Sequence, residues 1–230
     1  VIARAMEEIF ADRLEEHSPV LAYHYVRGHE AAKATDYLVR AGDRAMRLYA
    51  NAEAAVHYTE ALAQVEKQPE SLRQAEQRVD VVMKLCGVSG SSQDFERDLG
   101  NLADALRVAE RIGDRRRQSQ VLYWVGRTHY VLGHVAPGIE HAERALTIAD
   151  ELGDDSLAAM PVNLLGRSYF VMSDFQKACP ILERNASQLE RIGNRVEAAT
   201  AYAGLGWSLA MVGQFDRALQ AADRGLAIAQ

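Results

Sequence analysis

The histidines are the residues whose spacing comes nearest to a metal-binding pattern in this sequence. His24 and His29 lie five positions apart, and so do His129 and His134, whereas a helical zinc site places two histidines four positions apart on one helix face. The stretch HEAAK at 29–33 has a lysine where the second ligand would stand. We therefore interpret the histidines as structural or surface residues and predict no metal site.

The two cysteines, Cys86 and Cys179, are candidate nucleophiles by residue type. Neither has a histidine or a second cysteine close in sequence that would activate it, so we expect both to be buried apolar thiols. Two cysteines cannot form a disulfide framework, which favours a reducing compartment and a cytoplasmic location.

The glycine-containing stretches resemble nucleotide-binding loops in composition only. GVSGSSQ at 87–93 has no lysine after its glycines, and GLG at 204–206 lacks the rest of a dinucleotide fingerprint. Because GLG falls inside a repeated helix, we attribute both Gly204 and Gly206 to close helix packing. We predict no catalytic residue and no cofactor. The chain is therefore not expected to be an enzyme, although a longer parent protein could carry a cyclase or an ATPase.

The charge distribution argues against nucleic acid and membrane partners. The net charge is −6, and the arginines of DRRRQ at 114–118 have acids beside them, Glu110 and Asp114. No apolar run is long enough to span a bilayer, and no signal peptide is visible. NAS at 185–187 has the letters of a glycosylation sequon but falls inside a predicted helix. We expect a cytoplasmic chain with no nucleic acid and no membrane partner.

A repeated stretch determines the predicted fold. AERIGD at 109–114 returns as ADELGD at 149–154 and as LERIGN at 189–194, each copy 40 residues after the last. Small residues recur in the same phase: Gly126, Gly166 and Gly206, then Gly138, Ala178 and Ala218. Small residues let two helices approach closely, so each repeat predicts a hairpin of two helices that needs its neighbours to complete a core.

The pattern within each unit resembles the tetratricopeptide repeat. Two copies carry it best: Tyr202-x2-Leu205-Gly206 with Ala218, and Val162-x2-Leu165-Gly166 with Ala178. The period of 40 residues, instead of about 34, is similar to the helix-extended repeats of kinesin light chains and bacterial signalling regulators. The resemblance implies an all-α fold, a right-handed superhelical solenoid of helix-turn-helix hairpins with about twelve helices.

The predicted helices follow from this register. They span 2–16, 19–28, 31–49, 51–66, 70–86, 93–112, 115–132, 136–152, 155–172, 175–192, 195–212 and 215–229. We divide the sequence into an N-terminal helical region with irregular hairpins at 1–66, a degenerate hairpin at 67–114 that contains the loop 87–93, and three regular hairpins of 40 residues at 115–230.

Residues 2–62 have a resemblance of their own. The stretches LAYHY, YLVRAGDRA and YANAEAAVHY are similar to the segment that follows the ATPase module in large bacterial signalling proteins. Those proteins join a nucleotide cyclase or a DNA-binding domain to a signalling ATPase and a tetratricopeptide region. The resemblance implies that this chain is the sensor or partner-binding part of such a protein. The alternative is a self-assembly element, in which the end helices of two copies pair as a homodimer.

The candidate binding site follows from the register of the hairpins. The first helix of each hairpin is expected to line a concave surface, and positions i, i+4 and i+7 share one face of a helix. In successive units these positions hold Tyr123, Arg127 and Tyr130, then Asn163, Arg167 and Phe170, then Ala203, Trp207 and Ala210. We predict that they line one groove, with Arg127, Arg167 and Trp207 in a solvent-exposed row.

The expected ligand follows from these residue types. Arginine forms bidentate hydrogen bonds with carboxylates, and tryptophan provides a stacking surface. The groove is therefore predicted to bind a protein or peptide segment, acidic or ending in a free carboxylate, or a small signalling ligand. In the alternative interpretation, Tyr130 and Phe170 belong to the core and the arginines pair with local acids.

Overall fold

The computed structural model describes residues 2–88 and 95–230, and these residues form twelve helices and no strand. The predicted all-α class of paired helices is confirmed. The helices are α1 (Ile2–Ile9), α2 (Ser18–Arg27), α3 (Ala31–Arg47), α4 (Asn51–Val65), α5 (Leu72–Val88), α6 (Phe95–Arg111), α7 (Arg115–Val131), α8 (Val135–Glu151), α9 (Asp155–Val171), α10 (Phe175–Arg191), α11 (Arg195–Met211) and α12 (Phe215–Ala229).

The repeated stretch of the sequence is a helix end joined to a helix start. In its first copy, Gly113 has a φ of 72°, and the N–H of Asp114 donates to the carbonyl of Ala109 at 3.0 Å. Glycine is favoured at this left-handed position, where the bond closes the last turn of the helix. In the later copies, the side chains of Asp154 and Asn194 accept a backbone N–H from the first turn of the next helix. The repeat therefore marks the boundary between successive hairpins.

The chain divides into two compact units, residues 1–117 and 118–230, here called the N-terminal and C-terminal units. The division of the sequence into three regions of differing regularity stays a prediction. In the N-terminal unit, Leu21, Leu38 and Val65 are buried in one apolar cluster. Within the same cluster, the rings of Tyr25 and Tyr37 stack with their centroids 5.5 Å apart.

Small residues and leucines build the core of the C-terminal unit. Leu182 of α10 packs with Leu205 and Leu209 of α11, and all three are almost fully buried. A Cβ added to Gly206 would lie 3.1 Å from the carbonyl oxygen of Ala218, so α11 and α12 approach to near backbone contact. This packing fixes the rotation of α11 and thereby determines which of its residues face outward.

The predicted helix 2–16 is wrong at its end, because α1 stops at Ile9. Residues 10–17 form tight turns, in which the N–H of Arg13 donates to the carbonyl of Phe10 at 2.8 Å. These turns bring the carbonyl of Glu16 within 3.1 Å of the Arg44 guanidinium on α3. Contact with a distant helix thus outweighs the helical preference of this stretch.

The other helix bounds lie within two residues of the predicted ones. At the predicted loop 87–93, α5 continues through Gly87 to Val88, so the first two residues of that loop are helical. Val88 is buried in a cluster with Leu85 and Tyr58, which holds the last turn of α5 in place. Residues 89–93, the rest of the predicted loop, lie outside the described residues. Within the described part of the chain, no helix combines the length and the apolar character needed to cross a membrane.

Candidate functional site

A cavity of about 400 Å³ lies within the C-terminal unit, among α7, α9, α10 and α11. This volume falls in the range of small-molecule and cofactor sites, about 300–1,000 Å³. The lining residues are Tyr130, Asn163, Arg167, Phe170, Val171, Leu182, Thr200, Ala201, Ala203, Gly204 and Trp207.

The cavity brings together most of the residues selected from the repeat register. Tyr130, Asn163, Arg167, Phe170 and Trp207 all line it, together with Ala203. They come from α7, α9 and α11, which are the first helices of three successive hairpins. Positions that are far apart in sequence therefore meet at one surface. Their role in binding stays a prediction.

Tyr123 and Arg127 do not line the cavity. The Arg127 guanidinium lies over the ring of Trp124, 5.1 Å from its centroid, and the side chain is half-buried. Tyr123 is half-buried against the apolar cluster that contains Leu164 and Leu165. Of the predicted row, Arg167 and Trp207 therefore line the cavity and Arg127 does not.

One end of the cavity is apolar. Trp207 is 61% exposed although it is a large aromatic residue, and Val171 beside it is exposed as well. Phe170 is half-buried, with its ring edge-on to Phe175 at 5.8 Å between centroids. Leu182 contributes to both the cavity wall and the core. A ligand in this end would cover apolar surface that water now contacts.

The other end of the cavity carries charge. The Arg167 side chain is exposed, and its guanidinium lies 5.4 Å from the ring centroid of Tyr130. Within residues 2–88 and 95–230, neither Arg167 nor Arg127 forms an ion pair with an acid. The alternative that these arginines pair with local acids therefore does not describe this geometry. Tyr130 and Phe170 are half-buried, so each belongs partly to the core and partly to the cavity.

Glu197 is a polar neighbour of the cavity that the repeat register did not identify. The buried Asn163 donates from Nδ2 to Oε2 of Glu197 at 3.2 Å. Burial raises the pKa of Tyr123, and the charges of Arg127, Glu197 and Arg167 act on its hydroxyl. Of these charged groups, Arg167 lines the cavity, whereas Arg127 and Glu197 do not.

The two glycines of GLG have different environments. A Cβ on Gly206 would crowd the backbone of α12, as expected for close helix packing. A Cβ on Gly204 would meet only the Leu182 side chain, at 3.6 Å, which is ordinary van der Waals contact. The sequence-based attribution of Gly204 to helix packing is therefore wrong, and Gly204 instead lines the cavity.

A second polar group in the C-terminal unit contains three histidines. The rings of His129 and His141 stack with centroids 5.6 Å apart, and His134 lies 5.9 Å from His129. The Nδ1 atoms of His129 and His141 are buried without a hydrogen-bond partner. Burial lowers the pKa of both rings, and the charge of a neighbouring histidine adds to this effect, His134 at His129 and His129 at His141. His141 comes from α8, so the sequence spacing of the other two could not indicate it.

The cysteines, the basic stretch and the NAS stretch from the sequence analysis do not form a further site among the described residues. Cys86 is buried as expected, whereas Cys179 is only half-buried, and burial raises the pKa of its thiol. Arg117 of the basic stretch forms ion pairs with Asp80 and Asp114. Asn185 of the NAS stretch is fully buried and therefore inaccessible to modification. Among the described residues, no three histidine, cysteine or acidic side chains are grouped so that they could hold a metal ion.

A comparison with protein families finds a known repeat in the C-terminal unit. Residues 156–230 match the family model described as tetratricopeptide repeat. The match covers nearly all of α9 and the whole of α10, α11 and α12. Residues 156–230 are therefore similar to tetratricopeptide repeats, and the resemblance inferred from the repeat pattern is confirmed over these residues.

Solved structures share the fold over most of the chain. A signal transduction ATPase with numerous domains from Pyrococcus horikoshii, described with a tetratricopeptide repeat sensor, aligns with a TM-score of 0.76 and 20% identity over 96% of this chain and 34% of that one. A Rap protein complexed with competence and sporulation factor aligns with a TM-score of 0.74 and 19% identity over 86% and 54%. BtubC from P. vanneervenii aligns with a TM-score of 0.73 and 17% identity over 95% and 88%.

These likenesses concern the fold alone, because the identities are low. The chain spans about a third of the Pyrococcus protein and about half of the Rap protein. A search of curated protein sequences found no match.

Proposed function

We propose that the C-terminal unit binds a peptide segment of another protein, one that presents a carboxylate beside an apolar side chain. The observation that carries this proposal is the convergence of equivalent repeat positions on one cavity. Arg167 and Trp207 occupy the same position in successive hairpins, and so do Tyr130 and Phe170. A surface that repeats from helix to helix suits an extended ligand, which also repeats along its length.

Charge complementarity selects the kind of peptide. Arg167 is exposed and has no acidic partner within the described residues, so its hydrogen-bonding capacity is available to a ligand carboxylate. Glu197 does not line the cavity, and its carboxylate accepts a hydrogen bond from Asn163. The exposed ring of Trp207 then covers an apolar side chain of the same ligand.

The fold relatives support a signalling context. One Rap relative is complexed with competence and sporulation factor, another is in complex with the Phr* peptide, and the Pyrococcus relative is described with a repeat sensor. By analogy, this chain is the sensor or partner-binding part of a larger, cytoplasmic signalling protein. The basis of this proposal is the arrangement of residues around the cavity, and the similarity in fold supports it.

The test is selection of a displayed library of random nine-residue peptides on the purified chain. Enriched peptides are expected to share an acidic residue, or a free C-terminal carboxylate, next to an aliphatic or aromatic one. Arg167→Ala should weaken their binding about 10- to 100-fold, since a hydrogen bond to a charged group contributes about 1.5–3 kcal/mol.

The matched control is Arg144→Ala, which removes an exposed arginine of α8 that does not line the cavity. This variant should bind the selected peptides as the unchanged chain does. Absence of enrichment, or binding that is indifferent to Arg167→Ala, would overturn the peptide proposal and leave only the fold.

We propose self-assembly through α12 as a second candidate, because the outer face of this helix is apolar. Phe215, Leu219 and Leu226 are each more than 60% exposed and follow one another along one helix face. The equivalent positions on α10, which lie 40 residues earlier, are half-buried or fully buried: Phe175, Cys179 and Ala186. The face therefore has the pattern of a packed surface, and a second copy of α12 would cover it.

Sedimentation across a wide range of protein concentration tests this second candidate. A monomer–dimer equilibrium is expected, and Leu219→Glu should shift it to monomer without changing the helix content. The matched control is Gln220→Glu, which adds the same charge at an exposed position on the neighbouring face of α12 and should leave the equilibrium unchanged. A chain that stays monomeric at every concentration would exclude this role.

A further inference from the structure

We infer that the apolar end of the cavity is a pocket for a single aliphatic or aromatic side chain of the bound peptide, and that Gly204 sets its depth. The inference rests on the proposed function in one respect: that function identifies the ligand as a peptide. Its observation is separate: Gly204 is a helical glycine for which the packing of the protein gives no reason.

Glycine is among the least favourable residues in a helix interior, because it carries extra backbone freedom in the unfolded chain. Gly206, two positions later, is required by backbone contact with α12. Gly204 has no such contact, since the nearest atom to its added Cβ is a Leu182 methyl group at 3.6 Å. An alanine would therefore fit here and favour the helix, and the space left by glycine is open to the cavity.

The residues around this space determine what fits it. Leu182 closes the wall on the side of α10, and Trp207 lies one turn along α11 from Gly204. Thr200 lies one turn before Gly204, and its hydroxyl donates to the carbonyl of Val196 at 3.0 Å. With that hydroxyl satisfied within the helix, the surroundings of Gly204 are dominated by apolar atoms.

The pocket is thus suited to a leucine, methionine or phenylalanine side chain. Arg167 lines the same cavity, which places a carboxylate of the ligand close to this apolar side chain. A larger residue at position 204 would occupy the space of the ligand side chain. It would reduce the preference for large apolar residues without removing the contact with the carboxylate.

The experiment compares Gly204→Ala and Gly204→Leu with the matched variants Gly100→Ala and Gly100→Leu. Gly100 is an exposed glycine within α6, and a Cβ there would meet no atom within 4 Å. Both alanine variants are expected to raise Tm, because both gain helix propensity. Only the position 204 variants should change binding.

Two probes give the readout. The first is a selected peptide and its analogue with alanine at the apolar position. The unchanged chain should prefer the original peptide about tenfold or more, and Gly204→Leu should abolish that preference while Gly100→Leu keeps it. The second probe is N-acetyl-leucinamide, which should shift the Leu182 methyl resonances of the unchanged chain and not those of Gly204→Leu.

The outcomes separate this inference from the proposed function. Peptide binding that keeps its side-chain preference in Gly204→Leu would overturn the pocket and leave the peptide-binding function intact. N-acetyl-leucinamide binding that depends on Gly204, without any enriched peptide, would support the pocket and overturn the function.

Discussion

Gly126 and Gly138 face each other across the hairpin of α7 and α8 at near backbone contact. A Cβ on Gly126 would lie 2.9 Å from the carbonyl oxygen of Gly138, and a Cβ on Gly138 would lie 3.1 Å from that of Gly126. A similar contact recurs further along the chain, where Gly206 meets the carbonyl of Ala218. At Gly166 the neighbour is different, because there a Cβ would meet the Leu182 side chain.

We predict that Gly126→Ala lowers the free energy of unfolding by about 1–3 kcal/mol, since the two helix backbones would have to separate. Gly100→Ala is the matched control and should raise it by about 0.5–1 kcal/mol through helix propensity. Urea denaturation of both variants measures the difference. Equal changes in the free energy of unfolding for the two substitutions would show that α7 and α8 are not in close contact at these glycines.

Gly206→Leu and Gly166→Leu should both destabilise the C-terminal unit. The cost should exceed about 1–3 kcal/mol at Gly206, where the obstacle is backbone, and be smaller at Gly166, where Leu182 can change its rotamer. Gly133→Ala should be milder, at about 1 kcal/mol, because Gly133 has open space but a φ of 79°. Thermal unfolding ranks the three variants, and a milder effect at Gly206 than at Gly133 would contradict the packing described.

The stacked pair of His129 and His141 predicts a dependence of stability on pH. The pKa of each ring is lowered in the folded chain, so the unfolded chain binds more protons as the pH falls below about 6.5. Stability should therefore be full well above the ordinary histidine pKa and decrease as the pH falls through about 6.5 and below. Arg144 and His134 favour the neutral rings, whereas Glu140 opposes this effect at His141.

The measurement is urea denaturation at several pH values in that window. His141→Leu should flatten the decrease, because it removes one of the two rings that must stay neutral. His29→Asn is the control, since His29 is exposed and has a φ of 56° that asparagine tolerates. A decrease that is unchanged in His141→Leu would assign the pH dependence to other groups.

Glu7 should anchor α1 to α3. Burial would raise the pKa of Glu7, but hydrogen bonds from Lys33 at 2.7 Å and Tyr37 at 2.6 Å outweigh it and lower the pKa to about 2. The carboxylate thus stabilises the fold at neutral pH, and this contribution should disappear as the pH falls from about 4.3 towards about 2.

Glu7→Gln should reduce stability at neutral pH by about 1 kcal/mol, a modest value because Lys33 is partly exposed to solvent. The exposed neighbouring acid provides the control, and Glu8→Gln should have little effect. Amide exchange of residues 2–9 measures both variants. Equal protection of α1 in the two would show that the Glu7 contacts do not hold the helix.

The hairpin boundaries could be predicted from the sequence because their chemistry is local. Gly113 ends one helix, and Asp154 and Asn194 each begin another through contacts within a few residues. The end of α1 could not be predicted in this way. It depends on the contact between Glu16 and Arg44, which are 28 positions apart in the chain.

The candidate site was predictable to the extent that it follows the repeat register. The register selected Arg167 and Trp207, which line the cavity, but it also selected Arg127, whose guanidinium instead covers Trp124. Which way a flexible side chain turns is decided by its neighbours and not by its position in the repeat. Glu197 and Gly204 lie at other register positions and required the packing of α9 against α11 to be known.

Trp207 provides the most direct test of the groove, because the chain has only one other tryptophan, Trp124. Trp207 is exposed, so its fluorescence should be readily quenched by acrylamide in the free chain. A peptide bound over the ring would exclude the quencher and shift the emission to shorter wavelength. Trp207→Ala should weaken peptide binding about 30-fold or more, as expected for a central aromatic contact.

Two conservative variants show which of the two tryptophans gives that fluorescence signal. Trp124→Phe leaves Trp207 as the reporter and should keep the whole response to peptide. Trp207→Phe leaves Trp124, which lies under the Arg127 guanidinium and does not line the cavity, and should lose most of the response. Because phenylalanine preserves an aromatic surface at position 207, this variant should still bind the peptide when binding is measured by calorimetry. A response that persists in Trp207→Phe would move the binding surface away from α11 and towards the face of α7 that carries Trp124.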